Sequence, residues 1–356
     1  MSFFVFLCLV LMVTLRYRMG GDGLFYEDCY SDMPTLGNAL EYIQFENYYF
    51  FQPFWILLIA ICKSISDSSV LFQLVHSLIF NICLFSFLKR YSSRSFSVLL
   101  VLFVSLIYFY FSFEVQREIL AISFFLINIK NLEENRWGKF YLLATVSFLF
   151  HISAIVIFFL PLFKLIKFNS KLVLSFLLGS ILLYFAQSSI LNLFKVFLIL
   201  ESMQSKGDVY SQMSFSLLGF ISYYFVRVIL FLPLALAMFR IENGKLKYEW
   251  FYSSFLIISV FSQFFVGFER FLNYLFVFYF VIVVEFFYNH YSEVKSWVLR
   301  YLILVTVFFH IFFVIEYKLF TKNEFGQHYY SIFFPYNSVF DSQENSERED
   351  YHNNSQ

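Results

Sequence analysis

The chain has 356 residues; 60% are hydrophobic, only 14% are charged, and the formal net charge is zero. Soluble domains carry about 45–50% apolar and roughly 25% charged residues, and a chain of this size cannot hide such an excess in one water-soluble core. The balance argues against a soluble domain, a nucleic-acid binder and an electrostatic surface binder, and for an integral membrane protein whose solvent is lipid.

In chain order, residues 2–15 read as a first, short span. They lack the basic start and small-residue cleavage site of a signal peptide, and Arg16 follows at once. A polar loop, 16–49, comes next, then a short apolar stretch at 50–62. Spans are expected at 69–88, 96–112, 118–131, 172–187, 214–239, 250–268, 271–289 and 297–316, with a long apolar stretch at 140–166. A second polar loop lies at 187–213. The fold class is therefore all-α: one polytopic membrane domain over 1–340 with about ten spans, some broken or re-entrant. The polar tail 341–356 reads as disordered from its Asp, Glu, Asn and Ser content. The four cysteines have no metal-site spacing and read as small apolar residues.

Lys and Arg in short loops orient such a chain. Basic loops at Lys89–Arg94, Lys130–Lys139, Lys164–Lys171 and Arg240–Lys247 are placed in the cytoplasm. If both ends of 140–166 face inside, that stretch goes out and returns, broken near His151 at the outer side; the alternative is one long span with a basic outer loop, and the broken version is the one expected. By the same count 50–62 is not a full crossing but a re-entrant or interfacial piece. Both polar loops and the tail fall outside.

Charge inside a membrane is expensive and marks function by default. Arg16, Arg18, Asp22, Glu114, Arg117, His151 and Arg270 all fall at the outer face on this topology. Outward arginines run against the usual bias, and a reason for them would be an anion there, since the guanidinium fork suits phosphate or diphosphate. Each residue also has a structural reading. Arg16 and Arg18 can anchor the first span. Asp22 can cap a loop helix, and Glu114 and Arg117, three apart, can pair on a helix. His151 can be a satisfied core histidine, and Arg227 can pair with Glu269 or Glu285.

Five segments in order carry a family resemblance. They are Arg16-Tyr17-Arg18 with Gly20, Asp22 and Tyr26; Gln116-Arg117-Glu118-Ile119-Leu120-Ala121; Phe150-His151-Ile152-Ser153-Ala154 ahead of Pro161; Phe268-Glu269-Arg270 with Tyr274; and Tyr329 to Tyr336. The chain resembles the EpsG family, similar to Wzy-type polymerases of bacterial surface polysaccharides. It departs from the family at Gln116-Arg117-Glu118, where Arg-Gln is usual, and in its short first span.

The resemblance implies a multi-pass protein of the bacterial inner membrane with a fold like that of membrane glycosyltransferases of the GT-C type. It implies glycosyl transfer between oligosaccharide repeat units on undecaprenyl diphosphate at the outer face, with a chain-length regulator and a flippase as partners besides membrane lipid. Arg117 and Arg270 are then the diphosphate ligands, with Arg16 or Arg18 as a further cation. Asp22 or His151 is the base, with Glu114 as a third choice. Two arginines can take the place of a metal, so neither metal nor cofactor is expected. Two other classes compete: a flippase for the same lipid-linked sugar, and a membrane acyltransferase that uses the buried histidine.

Overall fold

The computed structural model describes residues 3–47, 51–185, 221, 224–229, 231–262, 269–323, 325–341 and 343–355. Among these the chain is helical, with no strand beyond isolated bridges. It divides into two compact units, Met1–Ile155 with Phe312–Gln356, and Val156–Ile311.

The first unit starts with α1 (Phe3–Thr14) and α2 (Gly21–Cys29). Next is α3 (Pro53–Lys63), whose N-terminal proline is pre-set for a helical start. At about 1.5 Å per residue its 11 residues reach about 16 Å, short of the roughly 30 Å of a bilayer core; the other apolar helices of 10–17 residues fall short too. In α4 (Ser69–Tyr91) the Ser68 hydroxyl accepts the Val70 N–H, and Lys89 and Arg90 meet the negative end of the helix. Then come α5 (Ser95–Val104), α6 (Gln116–Glu133) and α7 (Trp137–Phe150). Helix α6 packs on α4 and α7, and α1 packs on α4.

One expected span is bent, and the long stretch 140–166 is broken. The stretch 96–112 is not one helix: α5 and the segment Ile107–Glu114 meet at 83°. The corner is Leu106, held at φ +60°, a left-handed conformation that costs a leucine energy. The break expected near His151 is present. Helix α7 ends at Phe150, His151 is extended, and one tight turn, Ile152–Ala154, leads into α8 (Ile155–Phe163).

The second unit holds most of α8, then α9 (Ser170–Phe185), α10 (Leu232–Ile241), α11 (Glu249–Phe261), α12 (Arg270–Glu285) and the start of α13 (Trp297–Phe320). Phe231, Phe255 and Tyr279 stack in its interior, with ring centroids 4.4 and 5.4 Å apart. Glu285 sits at the end of α12 and accepts from Asn289 at 2.7 Å. Loop 187–213 and the side chain of Arg227 lie outside the described residues. Among the described residues, Ser69–Tyr91 and Arg270–Glu293 are long and apolar enough to cross a membrane, with the bent pair as a third. The remaining apolar helices have 10–17 residues.

The tail differs from its reading as disordered. It carries α14 (Ser346–Ser355), and Arg348 inside it is fully buried. Its guanidinium donates to the carbonyls of Ser331 (2.9 Å), Arg18 (2.9 Å) and Pro335 (2.6 Å). Composition describes a segment with nothing apolar to bury; it does not register that one arginine can order a polar segment by satisfying backbone acceptors of another.

Candidate functional site

Four of the five resembling segments meet in the first unit. Gly20 stands at φ +89°, and a Cβ there would lie 2.2 Å from the Phe113 carbonyl oxygen; at Gly23 the distance would be 2.5 Å. Only glycine lets α2 approach the backbone before Arg117 so closely. On another side, the Gly20 N–H donates to the Ile332 carbonyl at 2.8 Å and the Tyr17 N–H to that of Asn337 at 3.0 Å. The Tyr329 hydroxyl donates to Glu114. The His151 segment joins through Phe150, whose ring stacks on Phe124 of α6 at 5.4 Å and meets Phe54 of α3 at 5.7 Å.

Arg117 opens α6. Its Nε donates to the Tyr26 hydroxyl at 2.9 Å and its Nη1 to Gln52 Oε1 at 3.2 Å. Its guanidinium lies over the rings of Phe51 (4.7 Å) and Tyr26 (5.4 Å). Among the side chains described, no carboxylate lies within ion-pair distance of it. The structural reading in which it pairs with Glu114 is not what the structure shows. Arg117 is a half-buried cation held in position by neutral groups, and no carboxylate among the described residues meets its charge.

Asp22 and Tyr26 are four apart on α2 and so share a face. That puts Asp22 one turn from the tyrosine that holds Arg117. Its half-buried carboxylate makes no hydrogen bond among the described residues.

Arg18 is placed differently. Its Nε and Nη2 grip both oxygens of Glu349 at 2.6 Å, and its Nη1 meets Asp28 at 2.5 Å. These contacts hold its charge more firmly than usual. At 100° per residue, Asp28 lies about 200° around α2 from Tyr26, on the far side from Arg117. Arg16 is buried at 2% exposure. It donates to the Val13 carbonyl at 2.9 Å and lies 5.3 Å over the Phe113 ring. Burial pulls its pKa down to about 10, against the opposing pull of Glu27.

His151 Nδ1 accepts the Ser153 N–H at 3.2 Å and lies 2.6 Å from its hydroxyl, so the ring caps the turn that restarts the helix. With Nδ1 an acceptor, the hydrogen-bond pattern assigns the neutral ring's proton to Nε2. Arg270 is half-buried at the start of α12, in the second unit.

Sequence reasoning missed several residues. Gln52 looked like part of a short apolar run. Burial raises the Glu27 carboxyl pKa, while Arg16 and the Arg18 N–H, which donates to it at 3.0 Å, pull it down. A polar seam on α4 was also missed. The Ser77 hydroxyl donates to the Val10 carbonyl (3.3 Å), Asn81 accepts from the Tyr108 hydroxyl (3.0 Å), and His76 Nε2 contacts the Gln116 carbonyl (3.1 Å). The seam ties α1 and the approach to Arg117 onto one span. Its signal was available: Gln73, His76, Ser77 and Asn81 recur at helical spacing in an otherwise apolar run.

A model of the EpsG family matches residues 1–338. The chain belongs to the EpsG family. No curated protein matches it, and no solved structure does. Membership of the EpsG family, which is associated with Wzy-type polymerases, makes the chain a membrane protein of polysaccharide biosynthesis. The match ends eight residues before α14 begins (338 against 346), so the helix that carries Arg348 lies beyond it.

Proposed function

We propose that this EpsG-family protein is a repeat-unit polymerase. It joins oligosaccharides carried on undecaprenyl diphosphate at the outer face of the bacterial inner membrane. The observation that carries this reading is Arg117: a positioned guanidinium with neutral partners only among the described residues, held by a tyrosine that lies one helical turn from the Asp22 carboxylate, itself without a hydrogen bond among those residues. A diphosphate leaving group needs such a cation as its charge develops, and a sugar hydroxyl needs a base.

In this reading Asp22 takes the proton of the acceptor hydroxyl as the oxygen attacks the anomeric carbon of the donor. The bond from that carbon to the diphosphate oxygen breaks, and the lipid diphosphate leaves with the electron pair against Arg117. Asp22 is preferred to His151, whose Nδ1 is engaged in a cap, and to Glu114, which already accepts from Tyr329. Arg18 is committed to Glu349 and Asp28, and Arg16 is enclosed, so neither is assigned to the leaving group. Arg270, in the other unit, keeps its expected part as a diphosphate cation as a separate proposal.

The test is a gel of surface glycan beside a blot for protein in the membrane. Arg117→Ala is expected to leave a single repeat unit on its acceptor and no polymer, at normal protein level. Normal long-chain polymer would remove Arg117 from the site. Loss of the single-unit band as well would point to transport. Arg270→Ala, run alongside, tests its part independently.

A further inference from the structure

The loop between α2 and α3 contains an irregular helical run: a tight turn at Leu36–Asn38, a helical turn at Ala39–Glu41 and a wide turn at Tyr42–Glu46. One side of it is packed, with Ala39 and Tyr42 buried. The other side holds large apolar residues in the open: Leu36, Leu40 at 71% exposure and Phe45 at 76%. Leu36 and Leu40 are four apart and share a face.

Both ends of this run are tied to something informative. At the first, the Leu36 N–H donates to the Ser64 hydroxyl at 2.8 Å, and Lys63 donates to the Ser31 carbonyl at 2.6 Å. That fixes Leu36 beside the end of α3, where Ile61 and Ile65 are also exposed. The apolar edge of the loop thus continues the outward apolar stripe of an apolar helix. At the second end, Asn47 clamps Phe51 from both sides. Its Oδ1 accepts the Phe51 N–H at 2.9 Å, and its Nδ2 donates to the Phe51 carbonyl at 2.8 Å. Phe51 is the ring beneath the Arg117 guanidinium, 4.7 Å away. The edge therefore starts beside the exposed Ile61 and Ile65 at the end of an apolar helix and ends on the aromatic support of the candidate diphosphate cation.

Resting on the polymerase reading, we infer that Leu36, Leu40 and Phe45 form an interfacial edge that takes the polyprenyl chain of the lipid-linked substrate while Arg117 takes its diphosphate. The chemistry is divided as the ligand is divided. A long, uncharged hydrocarbon needs exposed apolar surface at the bilayer boundary, and its charged head needs a fixed guanidinium at the end of that surface. A water-facing loop would have no reason to expose this set together.

Full-length protein carrying the photoreactive residue p-benzoylphenylalanine in place of Leu40 or Phe45 would be irradiated in cells and its adducts identified by mass. The same residue in place of Ile82, exposed on α4, is the control. Polyprenyl diphosphate adducts are expected at 40 and 45 and not at 82, where phospholipid alone should be captured. Phospholipid alone at all three positions would overturn the inference, and so would capture of protein at 40 and 45. The two readings fail separately. Normal polymer from Arg117→Ala sinks the polymerase site whatever is captured. Phospholipid-only adducts, in a strain whose Arg117→Ala variant has lost polymer, sink the edge alone.

Discussion

Arg18 and Arg117 are the same residue type on opposite sides of one short helix, and their surroundings differ completely. Arg18 has two carboxylates within 2.6 Å and a tail helix folded over it. Arg117 has a phenol, an amide and two rings. A guanidinium whose charge is met inside the protein holds structure together. One whose position is fixed and that meets no carboxylate among the described residues is, in the proposed function, prepared for an anion from outside. Sequence alone put both at the outer face and gave both the same part; partners separate them.

The largest effect that follows is on activity. Arg117→Ala should lower polymer formation by about 10²–10³-fold or more, as loss of a preorganised donor to a developing charge does. Arg117→Lys should recover little of it, because the ammonium lacks the planar fork. Polymer at wild-type length and amount from Arg117→Lys would show that point charge suffices. Asp22→Asn should match that loss with the protein level unchanged, and polymer at normal rate would return the base assignment to the other candidates.

On the other side of α2 the expected effect is on stability. Arg348→Ala leaves three carbonyls without their donor; about 1.5–3 kcal/mol for each charge-assisted hydrogen bond gives about 4.5–9 kcal/mol before neighbours relax, and about 3–5 kcal/mol is expected once they do. Thermal unfolding in detergent reads this, and an unchanged midpoint would mean that the tail is not part of the folded unit. Glu349→Gln should be milder, about 1–2 kcal/mol, since the amide still accepts from the fork of Arg18. In both variants any polymer lost should track protein lost. Polymer lost at full protein level would make this side of α2 as functional as the other and remove the contrast.

What could be read beforehand follows the physics of each signal. The helical membrane class and the break at His151 came from apolar run length and loop charge, quantities that sum over many residues. The corner at Leu106 was invisible, since no proline or glycine marks it and tertiary packing holds a leucine at positive φ. The tail helix was invisible because its order comes from one side chain reaching carbonyls more than three hundred positions away in sequence, at Arg18, as well as nearby ones. Gly20, Asp22, Tyr26 and Arg117 were legible as a set, through the family resemblance. That Arg18 and Arg117 differ was not, because Glu349 and Tyr26 are partners only in three dimensions.

The smallest effect is at His151, and it tests whether the contrast between fixed and functional extends beyond arginines. As a cap, the imidazole contributes one accepted N–H from Ser153, about 1 kcal/mol of stability. His151→Asn supplies a side-chain oxygen that can accept the same N–H, as asparagine does at helix starts. Polymer and unfolding midpoint should therefore both stay close to wild type in His151→Asn, whereas His151→Ala should lower the midpoint and leave the residual polymer in proportion to folded protein. An asparagine has no group that can take a proton from a sugar hydroxyl at neutral pH. If His151→Asn keeps the wild-type midpoint yet makes no polymer, the ring is chemically active, and the base belongs at the helix break rather than on α2.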